Sequence, residues 1–211
     1  MKKIILLSIF LYLGIASVSA QKATLANELT DKQWSDLFSA LGSEDWNKAF
    51  DLSASYLELL KNDDNAKSIA NLRYMYLFSA AGKVSEGNMS FENLEKKVKV
   101  FAGKKIIFPY REITAKCNGA FNFICGSNDS KNKAFTTASN KTATTIHSFE
   151  YIDLAEGFDF EKHEGEMAAI VGTVKEIVPN PNKSMAIVMR IYITDGRIVL
   201  DDRNKKTHFN K

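Results

Sequence analysis

Little in this chain is equipped for chemistry. Three His and two Cys are spread over 211 residues. No Gly-x-Ser-x-Gly elbow presents a nucleophile, and no glycine-rich loop stands ahead of a helix to cradle a phosphate. An excess of one charge is lacking too: 28 Lys and Arg stand against 25 Asp and Glu. That balance excludes the strong non-specific grip on nucleic acid or an acidic membrane that basic domains have. The expectation is a protein that binds a partner, not a catalyst, with no cofactor and no metal site.

What is present begins with an export signal. Lys2 and Lys3 precede the apolar run Ile4 to Val18, and Val18-Ser19-Ala20 supplies small residues before Gln21. This is the pattern of a secretory signal peptide over residues 1–20, so the expected location is periplasmic or secreted. The run falls short of the ~20 apolar residues that a spanning helix needs. No stable membrane insertion is therefore expected after cleavage, and no Cys follows the site to carry a lipid. Cleavage removes Lys2 and Lys3 and no acid, which brings the net charge from +3 to about +1.

Residues 21–103 read as a helical segment. Thr30 and Asp31 are capping types ahead of Trp34, Leu37, Phe38 and Leu41 at helical spacing, and Gly42 ends the run. Ser43 opens a second run through Ala49, Phe50, Tyr56 and Leu60. A third, Ala66 to Ala81, is stopped by Gly82, and Ser90 caps a fourth that carries Phe91, Leu94, Val98 and Phe101 before Gly103. Two helical pairs with corresponding stop glycines, Gly42 and Gly82, resemble a short array of tetratricopeptide-type repeats. That resemblance implies helical hairpins presenting a groove to a protein partner in the cell envelope. A plain helical bundle packed on the remainder fits the same pattern.

From Lys104 onward β-type residues dominate. Lys104 to Lys116, Ala120 to Cys125 and Thr142 to Leu154 read as strands, and Gly126 to Lys141 as a polar, mobile loop. Met185, Ile187, Met189, Ile191 and Ile193 alternate with Ala186, Val188, Arg190, Tyr192 and Thr194. Asp195-Gly196 then suits a type I′ hairpin turn, pairing Ile193 with Ile198 and Ile191 with Leu200. With Met167 to Val178, bent at Gly172, these make three consecutive antiparallel strands.

A bent strand, a Pro/Asn loop over Pro179 to Ser184 and a hairpin of this kind resemble the opening of an OB fold. The resemblance implies an α+β protein: the helical-hairpin segment, then an antiparallel OB-like β-barrel over 104–203, then a basic tail over 204–211. On such barrels one sheet face binds oligonucleotides, oligosaccharides or peptides. Here that face would carry Arg190, Tyr192, Thr194 and Arg197. The same side chains also suit a plain barrel wall or a contact with the helices.

Cys117 and Cys125 are expected to pair, since the compartment is oxidising. If Asn118-Gly119 were a tight hairpin turn the two would lie too far apart, so the bridge requires a wider loop. His163 lies among Glu161, Glu164 and Glu166, a set able to hold a cation or to act as base and acid, which makes a metal-assisted hydrolase the remaining alternative. His147 alternates with Phe149 and Tyr151, so the three are expected on one strand face.

Overall fold

A computed structural model describes residues 28–61, 63, 67–117, 122–127, 130–180 and 187–202. The expected signal segment, most of the Pro/Asn loop and the basic tail lie outside them. Helix α1 (Asp31–Gly42) starts with a capping box: the Thr30 side chain accepts from the Gln33 N–H, and the Gln33 side chain accepts from the Thr30 N–H. Helix α2 (Trp46–Leu60) is capped by Asp45, which accepts from the Lys48 N–H at 3.0 Å. Ser43, expected to open α2, closes α1 instead, its hydroxyl donating to the Ser39 and Ala40 carbonyls.

Helix α3 (Lys67–Ser85) runs straight through Gly82, the residue expected to stop it. The glycine is there for packing: a Cβ at position 82 would come within 2.2 Å of the Trp46 indole, so only a bare backbone lets α2 approach this closely. Helix α4 (Phe91–Val98), capped by Ser90, passes into a 3-10 turn at Lys99–Phe101.

Seven strands follow: β1 (Lys105–Ile107), β2 (Arg111–Thr114), β3 (Phe123–Ser127), β4 (Ser130–Ser139), β5 (Ile146–Leu154), β6 (Met167–Pro179) and β7 (Ile187–Leu200). The fold is α+β, four helices and a seven-stranded mixed sheet among the described residues. One side of β6 pairs with β7, and its other side pairs first with β2 and then with β1. Strands β2, β3, β4, β5 and β7 complete the circuit, so the pairing closes on itself.

The sheet is not antiparallel throughout, as the sequence suggested. Strand β2 runs parallel to β3, and β5 parallel to β7. Strand β2 is only four residues long, so little distance separates its end from the start of a parallel partner. Cys117, just past β2, and Cys125 of β3 form a disulfide, their Cα atoms 5.3 Å apart. Thr114 stands beside Cys125 in the parallel register, which removes the hairpin geometry that would have kept the thiols apart.

Asp195-Gly196 is not a turn. Strand β7 is continuous from Ile187 to Leu200, and Asp195, at φ 53°, is the extra residue of a bulge between the pairs Thr173–Thr194 and Val171–Arg197. The expected cross-strand pairs of Ile193 with Ile198 and Ile191 with Leu200 do not form; Ile193 pairs with Val174 and Ile198 with Ile170. The bulge bends β7 where Gly172 faces it, and a Cβ on Gly172 would meet the Ile193 side chain at 2.3 Å.

Two further readings are corrected. The polar stretch after Gly126 is mostly strand β4, because Ala134, Thr136 and Ala138 alternate as small buried residues on its inner face. Lys104 to Lys116 is two strands, broken around Pro109, which cannot donate to a ladder.

The helical and β parts share a core. Tyr74, Leu77, Ala81 and Leu94 from the helices lie in one buried cluster with Ile106, Phe108, Ile113, Ile152, Ile170 and Ile191 from the strands. Helix α3 is buried on nearly every side, packed against α2, α4, β1, β5 and β7. Polar ties reinforce the junction: Arg73 Nη1 donates to the Lys105 carbonyl at 2.9 Å, and Glu44 accepts from the Lys141 N–H at 2.6 Å. Position 103/104 is thus a change of secondary structure within a continuous core.

Candidate binding cleft

One group of polar side chains lies on the inner face of the closed sheet. Arg111 from β2, Thr136 from β4, and Ser148 and Glu150 from β5 all point inward, and Tyr74 of α3 closes over them. Arg111 and Glu150 are 5% and 0% exposed. Charged groups so deep are tolerated only when each is held by partners. Arg111 Nη2 donates to the Tyr74 hydroxyl at 2.7 Å, and its Nη1 donates to Thr136 Oγ1 and, at a longer 3.5 Å, to Glu150 Oε2. The Ser148 hydroxyl donates to Glu150 Oε1.

Burial acts differently on the members of this network. It pushes the Tyr74 hydroxyl up, against the partial opposition of Arg111. It also drives Glu150 up to about 7, an increase that Arg111 and the Ser148 hydrogen bond reduce but do not cancel. For Arg111 burial works against the charge, yet Tyr74 and Glu150 outweigh it and the guanidinium stays charged. The network therefore holds a permanent cation and a carboxyl whose neutral form burial favours.

Arg111 and Tyr74 face a cleft of about 580 Å³ between helices α1 and α3 and the strand ends. Its walls are mainly apolar, from Leu41, Met75, Phe78, Ile107, Phe123 and Met167. Phe38 and Tyr110, 52% and 44% exposed, stand at its rim. An apolar cavity with a few fixed polar groups on its floor is the usual form of a small-molecule site.

Arg111 and Glu150 were not among the residues singled out from the sequence. The signal was there in the strand period: Arg111 is two residues from Ile113, and Glu150 two from Ile152, so each charge is in phase with a buried face. A charge in that phase needs a buried partner, and these two are each other's.

The residues expected to form a site lie elsewhere, on the outer face. Arg190, Tyr192 and Thr194 are half-buried and Arg197 is exposed. Tyr192 stacks on Tyr151 with ring centroids 4.9 Å apart and planes 11° from parallel. Tyr151 continues to Phe149 and Phe135 at 4.8 and 5.6 Å, so four rings cross β4, β5 and β7. Arg190 pairs in register with Phe149 beside them, while Arg197 lies beyond the bulge, beside Val171.

His147 does not join that face. An irregularity in the β4–β5 pairing falls at this point, and the ring packs against Trp46 and Phe78 at 4.7 and 4.9 Å. It is fully buried and neither ring nitrogen has a hydrogen-bond partner, so burial lowers its pKa to about 4. His163 meets Glu166 Oε1 at 3.2 Å and packs on Phe158, but no cluster of three or more potential metal-ligating residues occurs among the described residues. No helix among them is long and apolar enough to cross a membrane.

Compared with protein-family models, characterised proteins and solved structures, the chain matches none of them.

Proposed function

We propose that this is an exported binding protein that takes a small, largely apolar molecule in the cleft between α1, α3 and the strand ends. One observation carries the reading: a buried arginine, fixed by Tyr74, Thr136 and Glu150, lines a mainly apolar cavity in which it is the one cation among the described residues. A stability-only role is a weak reason to keep such a pair, because apolar residues of similar volume usually serve a core as well. The sheet forms one wall of the site, and α1 and α3 form the other.

Filling the cavity tests this. Met75→Trp places an indole in the cleft without touching the Arg111 network. It is expected to weaken binding of a medium-chain amphiphile at least tenfold, read by isothermal titration, while the melting temperature stays within a few degrees. Undiminished binding in this variant would place the ligand elsewhere.

A second reading takes the closed sheet as an OB-type barrel that binds a glycan or single-stranded oligonucleotide on its outer face. The four-ring stripe with Arg190 beside it favours this reading. Arg190→Ala with Tyr192→Ala is then expected to abolish retention on the bound polymer without lowering the melting temperature. No retention of the unaltered protein on any glycan or oligonucleotide would end it.

A further inference from the structure

The polar floor of the cleft has a chemistry more specific than general small-molecule binding, and it rests on the cleft being the ligand site. We propose that the ligand is an amphiphilic anion of the fatty-acid type, its headgroup paired with Arg111, and that Glu150 takes up one proton from solvent as the headgroup arrives.

The headgroup assignment follows from what lines the cavity. Arg111 is the cation on the cleft lining, and the apolar walls beside it suit a hydrocarbon chain. Glu112, the acidic residue of the lining, is exposed and alternates with Arg111 along β2, so it stays at the mouth. A neutral ligand would bury the guanidinium further with nothing new to offset it, whereas a carboxylate supplies a paired charge. The Tyr74 hydroxyl accepts from Arg111, which leaves its own proton to donate to a second headgroup oxygen.

Proton uptake follows from charge counting. The charged and titratable groups facing Glu150 are Arg111 from β2 and Tyr74 from α3, with Ser148 from its own strand. Once a carboxylate sits against Arg111, two anions share one buried cation, and in a low-dielectric interior one of them is neutralised. Glu150 is the one that gives way. Its contact to Arg111 is already the longest of the three, at 3.5 Å, and burial already favours its neutral form. Thr136 and Tyr74 keep the guanidinium in place meanwhile. The balance is simple: an O–H bond forms on Glu150, the buffer acid in solution loses that proton and is left as its conjugate base, and Arg111 exchanges one carboxylate partner for another.

The test is isothermal titration of the purified protein at pH 8 with laurate and with dodecanol, each in two buffers of different ionisation enthalpy. Expected are laurate binding at least tenfold tighter than dodecanol and uptake of a large fraction of a proton with laurate only. In Glu150→Gln the uptake disappears while laurate still binds. Laurate binding without proton uptake overturns the inference and leaves the cleft reading standing, as does dodecanol binding equally well. Binding of neither overturns both. The buffer comparison on the unaltered protein decides the matter even where Glu150→Gln folds poorly.

Discussion

Arg111→Met is expected to lower the free energy of unfolding by about 3–5 kcal/mol at pH 7.5, as measured by urea denaturation. The substitution keeps most of the side-chain volume but leaves Glu150 buried without its cation, and it strips Tyr74 and Thr136 of their donor. Two features separate this from ordinary core damage. Adding Glu150→Gln to Arg111→Met removes the stranded carboxyl and is expected to recover a large part of the loss. Lowering the pH to 5 is expected to shrink the loss as well, because the cost of protonating the stranded carboxyl falls as the pH approaches the ordinary carboxylate value. A single variant that unfolds like the unaltered protein would mean that the pair is not buried as described.

The second large effect concerns His147 and acid. Its ring is buried with neither nitrogen partnered, and burial depresses its pKa from the ordinary 6.5 to about 4. Between those values the unfolded chain holds a proton that the folded protein refuses. The stability associated with the neutral ring is therefore complete above pH 6.5 and is lost as pH falls toward 4, by about 3 kcal/mol in all.

Glu150 works in the opposite sense. Its folded pKa is raised, so its contribution is present below the ordinary carboxylate value and is lost as pH rises toward about 7. His147→Phe fills the pocket between Trp46 and Phe78 with a ring that needs no partner. It is expected to be no less stable at pH 7.5, where it also removes two unsatisfied nitrogens. Its advantage over the unaltered protein should grow steadily down to pH 4.5 in thermal melts. A pH-independent difference between the two would show that His147 is not buried as a neutral ring.

The sequence carried the class of the fold better than its path. Periodicity located the helices and most of the strands because apolar phase is a local property, read within one element. What it could not separate was two devices that produce the same phase change. Along β7 the core-facing set shifts from the buried Met189, Ile191 and Ile193 to the partly buried Ile198 and Leu200. A two-residue turn and a one-residue bulge both flip the phase at Asp195-Gly196. Only the partner strand decides, and β6 is long enough to pair with both halves.

Strand β4 was hidden for a related reason. Its inner residues are Ala134, Thr136 and Ala138, too small to register as a hydrophobic face, yet small residues are what the crowded interior admits there. Gly82 shows the limit from the other side. The same residue type ends helices and lets helices touch, and the Trp46 ring that settles the question is 36 positions away. The cleft was illegible for the plainest reason: its residues come from α1, α3, β1, β2, β3, β4 and β6. No local pattern brings them together.

The cleft as ligand site is tested most directly by a crystal structure of the protein grown with laurate. The expected result is a chain lying between Phe38, Met75 and Ile107, with its carboxylate within hydrogen-bond distance of the Arg111 guanidinium and the Tyr74 hydroxyl. An empty cleft, with laurate seated on the Tyr151–Tyr192 face or nowhere, would contradict it.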